Sequence, residues 1–507
     1  MRRDRFDFAA IALIALAVLR IVSTYNIFSA TYDESTHVSA GLEVLGQHHY
    51  TLQYENPPLP RVIFAIAPYL AGVRYEASTP KWLQVMEVFY ANGRYKTNLF
   101  LSRMGNLLFF LIAAAATWWW GRRELGSAGG CLVALLFTMQ PVVIGYSGLA
   151  THEAPAMAGL AVSILAFLRW IEQPSAGRAA MVGAAWAFAI LCKMSALGYV
   201  PVACAAIYAV RLVRDAEVRR RWRELVRLGV IAPTVCALMI WAGYAFTVGR
   251  MGAGRYPDAL LPAPAFFLGI LRLIQLNGGS WTSYLFGETS NEGWWYYFPV
   301  AVALKTTIVS LLLGLGALFV RRVRVAQESL AAAVAILATA MPSHLDIGIR
   351  FVLPMFVPLT IAAATSAWML LESGRTGARV AAIALLVWHC GASIAAHPDE
   401  FPYFNEIAAR DPSRYLIDSN LDWGQDALRL RRVVREQHID RIGLDILGVH
   451  DFNKMGFPPN YKVTRDVPAT GWVAVSETTL RIFHGYEWLA GKPFQRVGKS
   501  IRLYHLQ

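Results

Sequence analysis

The run FAAIALIALAVLRIVSTYNIFSA, Phe8 to Ala30, ends directly on Thr31-Tyr-Asp-Glu-Ser-Thr-His37. The hydrocarbon core of a bilayer takes about 20 consecutive apolar residues to cross, so Phe8–Ala30 reads as a first membrane span. Arg2, Arg3 and Arg5 precede it, and basic residues collect on the cytoplasmic side of a span. No small-residue cleavage site precedes the polar stretch at Tyr32, so the run reads as an uncleaved span and not as a signal peptide. Two carboxylates, Asp33 and Glu34, then stand where the chain emerges on the far side.

The rest of the chain repeats this pattern. Of 507 residues, 56% are hydrophobic and 16% are charged, against about 25% charged in an average soluble protein. Mean hydropathy is +0.40. A multidomain soluble enzyme, a disordered chain and a fibrous repeat all need the opposite composition. The excess of 47 Lys+Arg over 34 Asp+Glu gives +13. These cations sit in short clusters between apolar runs, so they report orientation in a membrane and not a nucleic-acid partner. Cys131, Cys192, Cys204, Cys236 and Cys390 all fall in apolar segments, without metal spacing, and read as small core residues.

Apolar runs and arginine clusters together predict about eleven spans. After the first come 99–120, ending on Arg122-Arg123, then 128–146 and 155–169. The segment 179–211 has basic residues on both flanks and is read as a hairpin turning near Lys193. Further spans are expected at 226–248, 297–320 (ending on Arg321-Arg322), 328–342, 350–371 and 379–396. Two long outer loops, 31–98 and 249–296, separate them. Val62–Val73 is too short to span and reads as an interfacial or re-entrant helix. The tail 397–507 is polar. Its strand signals at Arg414–Ile417, Ile442–Leu447, Trp472–Ser476 and Ile501–Leu506 alternate with helix signals. Those are a capping box at Asp422–Gln425 and a helix near Thr478–Leu489. The expected architecture is an α-helical polytopic membrane domain, 1–396, followed by a small α/β extracytoplasmic domain, 397–507.

The informative residues are charges at the membrane edge, because each is costly there unless paired or used. Asp33, Glu34 and His37 share one face if a helix starts at Asp33, and a carboxylate there can accept a proton from an attacking hydroxyl. Glu153, beside His152, is a second acidic candidate. Trp294, Trp295 and Tyr296 open an aromatic run that either forms an interfacial belt or flanks a sugar or lipid. Lys305 lies inside a span. Arg350 breaks the positive-inside trend, and it either pairs with Asp346 or holds a phosphate bidentately. Lys193 is a further cation on that face. Outer carboxylates with outer cations suit displacement of a phosphate leaving group by a deprotonated hydroxyl. There is no P-loop, no GxGxxG after a strand, no HExxH and no GxSxG, and the cytoplasmic loops are too short for a nucleotide domain, which argues against an ATP-driven pump.

Asp33-Glu34…His37…Gly41, followed by Asn56-Pro-Pro-Leu-Pro60, resembles the first outer loop of the GT-C superfamily. The nearest branches are the protein O-mannosyltransferases and the bacterial aminoarabinose and RgtA/B/C/D-like glycosyltransferases. Gly293-Trp-Trp-Tyr-Tyr-Phe-Pro299 with Lys305-Thr, and Asp346-Ile-Gly-Ile-Arg350…Pro354, look like further motifs of bacterial members. So does Phe401-Pro-Tyr-Phe-Asn-Glu406 with Asp418-Ser-Asn-Leu-Asp-Trp-Gly-Gln425. The resemblance implies a cell-envelope enzyme of a bacterial inner membrane, with its N-terminus cytoplasmic and its tail periplasmic. It implies transfer of a sugar from a polyprenyl-phosphate donor to a hydroxyl of a protein, lipid or polysaccharide, with inversion at the anomeric carbon. Asp33, with Glu34 beside it, then takes the role of base, and Glu153 that of the second acidic residue, where the family usually has Asp. Arg350, Lys193 and Lys305 are expected on the donor phosphate. His37, Asn56, Trp294, Trp295, Tyr296 and Asp346 are expected to line the substrates. Some members use a divalent metal ion and others do not; no metal ligands are assigned, and His37, His48 and His49 lack a diagnostic spacing. The rival reading is a transporter or flippase of lipid-linked sugars without catalysis.

Overall fold

The computed structural model describes residues 4–75, 85–254, 257–279, 281–320 and 323–507. Arg2, Arg3, Arg321 and Arg322, used above to orient the chain, lie outside the described residues, as do short parts of both long loops. The chain forms an integral membrane protein: a bundle of long apolar helices followed by a C-terminal sheet.

The first helix, α1 (Arg5–Thr24), begins where Asp4 accepts hydrogen bonds from Phe6 N (2.9 Å) and Asp7 N (3.2 Å) and Asp7 Oδ2 accepts in turn from Asp4 N (3.3 Å). This capping box satisfies backbone donors that a helix start leaves unpaired. Then come α2 (Glu34–Gln47), α3 (Pro58–Leu70), α4 (Tyr95–Thr138), α5 (Glu153–Glu172), α6 (Ala176–Cys192), α7 (Ala196–Arg214) and α8 (Trp222–Gly243). Later spans are α9 (Leu353–Glu372) and α10 (Thr376–Ala396). By length and apolarity seven described helices can cross a membrane, or eight if the bent pair Tyr297–Lys305 and Ile308–Gly316 counts as one. The expected eleven is not reached on that measure, for two physical reasons. The spans read at 99–120 and 128–146 share α4, and the helices Ala176–Cys192 and Arg324–Ala340 are only 17 residues long.

The reversal inside α4 falls at Gly126, whose φ of 77° is open to glycine. A Cβ on Gly121 would lie 2.4 Å from Val133, and one on Gly130 2.8 Å from Arg122. Residues so far apart on a straight helix meet only because the chain folds back, and small residues permit the approach. The hairpin read in 179–211 is present as α6 and α7, joined through Lys193. The helix α3 has 13 residues, too short to span, and buries Phe64 and Ala65.

Ion pairs gather one end of the bundle. Arg122 holds Asp7 at 2.5 and 2.7 Å, Arg211 holds Glu328 at 2.5 Å and Glu172 at 3.0 Å, and Arg123 pairs with Glu172. At the opposite end lie the C-terminus of α1, the N-terminus of α5, and Lys193.

The pair Tyr297–Lys305 and Ile308–Gly316 is bent by 113° after Lys305. Backbone groups freed inside a membrane must find partners, and the tail supplies them. Asn405 Nδ2 donates to Ala303 O (2.6 Å) and Thr306 O (2.8 Å), and Asn405 N donates to Leu304 O (2.9 Å). The tail is thus built into the helices before it becomes a separate layer: Phe401, Phe404, Leu416, Leu421 and Trp423 share the main apolar core. Beyond them α11 (Ala427–Glu436) covers one face of a five-stranded sheet. Its strands are β1 (Ile442–Asp445), β2 (Asn460–Lys462), β3 (Gly471–Ser476), β4 (Gln495–Val497) and β5 (Ile501–Leu506), in the order β2-β1-β3-β5-β4. The first three run parallel; β5 is antiparallel to both its neighbours.

Two tail expectations need correction. Residues 414–417 form no strand; a short 3-10 turn at Pro412–Arg414 stands there instead. Asp422 does not open α11, which starts later, at Ala427; its carboxylate accepts instead from Thr478 N at 2.8 Å, in the first turn of the helix Glu477–Ile482, and so ties the strap 418–425 to the segment that follows β3. The strands β2 and β4, three residues each, carried too little pattern to be read.

Candidate active site

Asp33 is the residue preceding α2, yet its side chain makes no capping bond. The carboxylate turns away, and its Oδ2 accepts from Arg350 Nη1 at 2.7 Å. Arg350 sits in the single 3-10 turn Ile349–Phe351, with its guanidinium carbon 4.4 Å from the Trp423 ring centroid and 5.0 Å from that of Phe351. Its Nε is buried and has no hydrogen-bond partner among the described residues. Flat aromatic faces hold a guanidinium while leaving its in-plane donors free.

Lys193 comes to the same place from the α6–α7 turn. Its Nζ donates to Glu153 Oε1 (3.1 Å) and to Arg350 O (3.4 Å), and lies 5.4 Å from the Phe351 ring. Burial pushes its ammonium below the usual lysine range, while Glu153 pulls the other way. Two of the three cations expected on a phosphate, Arg350 and Lys193, are thus neighbours, and each is held by one of the expected acids, Asp33 and Glu153 respectively.

A third acid closes the group. Asp418 has a φ of 54° and accepts from Ser419 N at 2.5 Å. Burial raises its carboxyl to about 6, against the pull of Arg350 and with a further push from Asp33. Its strap is held by Asn420, whose Oδ1 accepts from Ile349 N (2.9 Å) and whose Nδ2 donates to Tyr297 OH (2.9 Å). A Cβ on Gly348 would lie 2.0 Å from Ser419 Oγ, so the turn carrying Arg350 and the strap carrying Asp418 approach as closely as a glycine allows.

The remaining expected residues divide. His37 is near the group, but it faces Arg61 Nη2 (3.2 Å from Nδ1) and the ring of His152 (4.4 Å between centroids) rather than Asp33. Both imidazoles are pushed well below the ordinary histidine value by burial first; next come His152 and then Arg61 for His37, and Arg61 and then Lys193 for His152. Asp346 is not the partner of Arg350; its Oδ2 accepts from Trp294 N at 2.6 Å, and burial raises it to about 6. That bond anchors the aromatic run, in which Trp295 is exposed and Trp294 and Tyr296 are half-buried. Asn56 belongs to a turn, donating its N–H to Gln53 O, while Gln53 Oε1 takes Arg61.

Two expectations are corrected outright. Glu34, read beside Asp33 as a base, is fully buried and spends its carboxylate on Arg103 (2.8 Å to each oxygen), Thr31 N (2.8 Å) and Ala150 N (2.8 Å). No acceptor capacity remains for a substrate proton. Lys305, read as a phosphate ligand, is fully buried and donates to Phe401 O (3.0 Å) and to Asn420 O. It braces the broken span against the tail. Among the described residues no three His, Cys, Asp or Glu side chains gather as a metal site. His48 follows the end of α2, about 16 Å of helix rise beyond His37, and His48 and His49 are exposed.

Sequence reading missed Trp423 and the close approach of Asp418. The signal was present in the motif Asp418-Ser-Asn-Leu-Asp-Trp, but nothing in sequence spacing shows that Tyr32 N donates to Trp423 O (3.0 Å) and Ser29 N to Gln425 O (2.9 Å).

Residues 94–241 match the family model of dolichyl-phosphate-mannose-protein mannosyltransferases. Among solved structures, ArnT from Cupriavidus metallidurans bound to undecaprenyl phosphate is 13% identical, covers 97% of both chains and has a TM-score of 0.49. The archaeal oligosaccharyltransferase AglB from Archaeoglobus fulgidus, in complex with an inhibitory peptide and a dolichol-phosphate, is 15% identical with a TM-score of 0.43. That match covers 91% of this chain and 62% of the other. The search of curated proteins returns no match. The matched stretch, 94–241, carries α4 to α7 and both Glu153 and Lys193.

Proposed function

We propose that the protein transfers a sugar from a polyprenyl-phosphate donor to an acceptor hydroxyl, by single displacement with inversion. The observation that carries this reading is the meeting of Asp33, Arg350, Lys193 and Glu153 at one end of the bundle. The acceptor oxygen attacks the anomeric carbon from the side opposite the phosphate, and its proton passes to Asp33. The bond between the anomeric carbon and the phosphate oxygen breaks, and its electron pair leaves with the phosphate.

Arg350 and Lys193 stabilise that developing charge, an electrostatic contribution commonly worth several kcal/mol of barrier. Before the donor arrives Arg350 is occupied by Asp33. An incoming phosphate competes for the guanidinium, so donor binding frees the base. Glu153 acts through Lys193, orienting it, and is a positioning residue in this scheme. Trp294, Trp295 and Tyr296 flank the donor, while His37 and Asn56 belong to the wall around Arg61. The transmembrane part, 1–396, carries both acids and cations, and 397–507 adds the strap with Asp418 and Trp423.

The site face is extracytoplasmic and the opposite, arginine-rich end cytoplasmic, as the positive-inside rule requires. That orientation puts the N-terminus in the cytoplasm of a bacterial cell and the sheet in the periplasm. The test is single turnover of a radiolabelled polyprenyl-phosphate sugar by the purified protein. Consumption of donor with release of polyprenyl phosphate is expected. Movement of intact donor across a vesicle membrane without consumption would instead mark a flippase.

A further inference from the structure

The positive-inside rule accounts for basic residues at one end of a bundle only. At the site end, a cavity of about 370 Å³ opens between the exits of α1 and α10 and the polar face of α11. Its walls include Asn26 and Ile27 just beyond α1, Pro398 just beyond α10, Lys96 near the start of α4, and Arg429, Arg431, Arg432 and Arg435 on α11. Five cations face one acid, Glu436. Arg429 is committed to Asp399 (2.6 Å) and Asp426 (3.0 Å), and Arg431 donates to Met455 O (2.8 Å). Lys96, Arg432 and Arg435 are exposed and have no ion pair among the described residues.

The two helices that end at the cavity, α1 and α10, carry bare apolar side chains. Leu16 and Leu19 of α1 are exposed, as are Val387 and Ile394 of α10. The two helices are linked near their C-terminal ends, where Arg20 donates to Ser393 Oγ (3.0 Å) and Ser393 O (2.7 Å). An amphiphile with its charge in the cavity and its chains along these two helices would satisfy both surfaces at once.

We propose that this cavity binds the headgroup of an anionic phospholipid of the leaflet on the site face, its phosphate taken by Lys96, Arg432 and Arg435. Interfacial basic side chains attract anionic lipid additively, and the apolar walls of α1 and α10 add contact area that a free anion does not use. None of these residues touches the group around Asp33 and Arg350, so the site is separate from the proposed chemistry.

The test is native mass spectrometry of the full chain released from mixed phosphatidylglycerol and phosphatidylcholine nanodiscs. Wild type is expected to retain phosphatidylglycerol preferentially. The variant K96Q/R432Q/R435Q is expected to lose that preference by about a hundredfold in affinity, while K462Q/K492Q, altered in exposed lysines of the sheet layer, retains it. R432K/R435K, which keeps the charge, should bind nearly as wild type. Unchanged retention by the triple variant with an unaltered melting profile would overturn the proposal. So would inorganic phosphate displacing the lipid at equal concentration, since the cavity would then be a free-anion site.

Discussion

Arg350 Nη1 and Asp33 Oδ2 stand 2.7 Å apart although 317 residues separate them in sequence. One partner comes from the exit of the first span and the other from the turn before the ninth helix. The pair joins a proposed base to a proposed phosphate ligand, so substitution on either side has a distinct signature.

Asp33→Asn keeps the shape and removes the basicity. Transfer should fall by about a hundredfold or more, the range of general-base contributions. Expression and melting temperature should stay near wild type, since the side chain is partly exposed and caps no helix. Near-normal donor consumption by this variant would falsify the assignment of the base.

Arg350→Gln should lower turnover by about a hundredfold, as loss of a charge-stabilising donor does elsewhere. Arg350→Lys should recover only part of this, because an ammonium lacks the planar fork and the stacking between Trp423 and Phe351. Donor-dependent kinetics of the two variants, compared side by side, check it; equal rates would remove the case for a planar ligand.

Glu34→Gln is expected to act on stability instead. Removing one partner of a buried ion pair leaves the other charge uncompensated, at a cost of about 3–5 kcal/mol, and Arg103 is fully buried. The readout is thermal unfolding in detergent. A stable Glu34→Gln protein with lost transfer would return Glu34 to the list of catalytic groups.

Lys305→Met should likewise lower the melting temperature, since Phe401 O and Asn420 O lose their donor. Donor affinity of whatever protein remains folded should change little. A selective loss of donor binding with normal melting would show that Lys305 does reach the phosphate.

Asp418 gives the pH dependence. Its carboxyl is raised to about 6 by burial. Below that pH it is neutral and Arg350 offers more net positive charge; above it, the added negative charge opposes an incoming phosphodiester, whose own charge is fixed over this range. Donor affinity should therefore rise as pH falls through 6. Asp418→Asn should show the higher affinity throughout and lose the step. The same shift bears on stability: a folded value above the unfolded one means that the folded state holds the extra proton between about 4 and 6. This contribution is complete below the unfolded value and is lost as pH rises through 6. Titrated donor binding and melting temperatures across pH 5 to 8 read both effects.

The sequence by itself determined the spans, their basic flanks and the polar tail, because the bilayer imposes length, apolarity and charge sidedness on consecutive residues. It also marked Asp33, Glu153, Lys193 and Arg350 as charges out of place. Only the tertiary structure decided how they pair. Asp33 and Glu34 are adjacent in the chain and chemically alike, yet one faces Arg350 and the other is consumed by Arg103. Lys305 and Lys193 were both expected on the donor phosphate, yet one braces a broken helix while the other approaches Arg350. The strap from Asp418 to Gln425, read as part of a separate domain 397–507, is tied to the exit of the first span by bonds from Ser29 N to Gln425 O and from Tyr32 N to Trp423 O. Such pairings depend on distances between segments hundreds of residues apart, and local pattern carries no record of those distances.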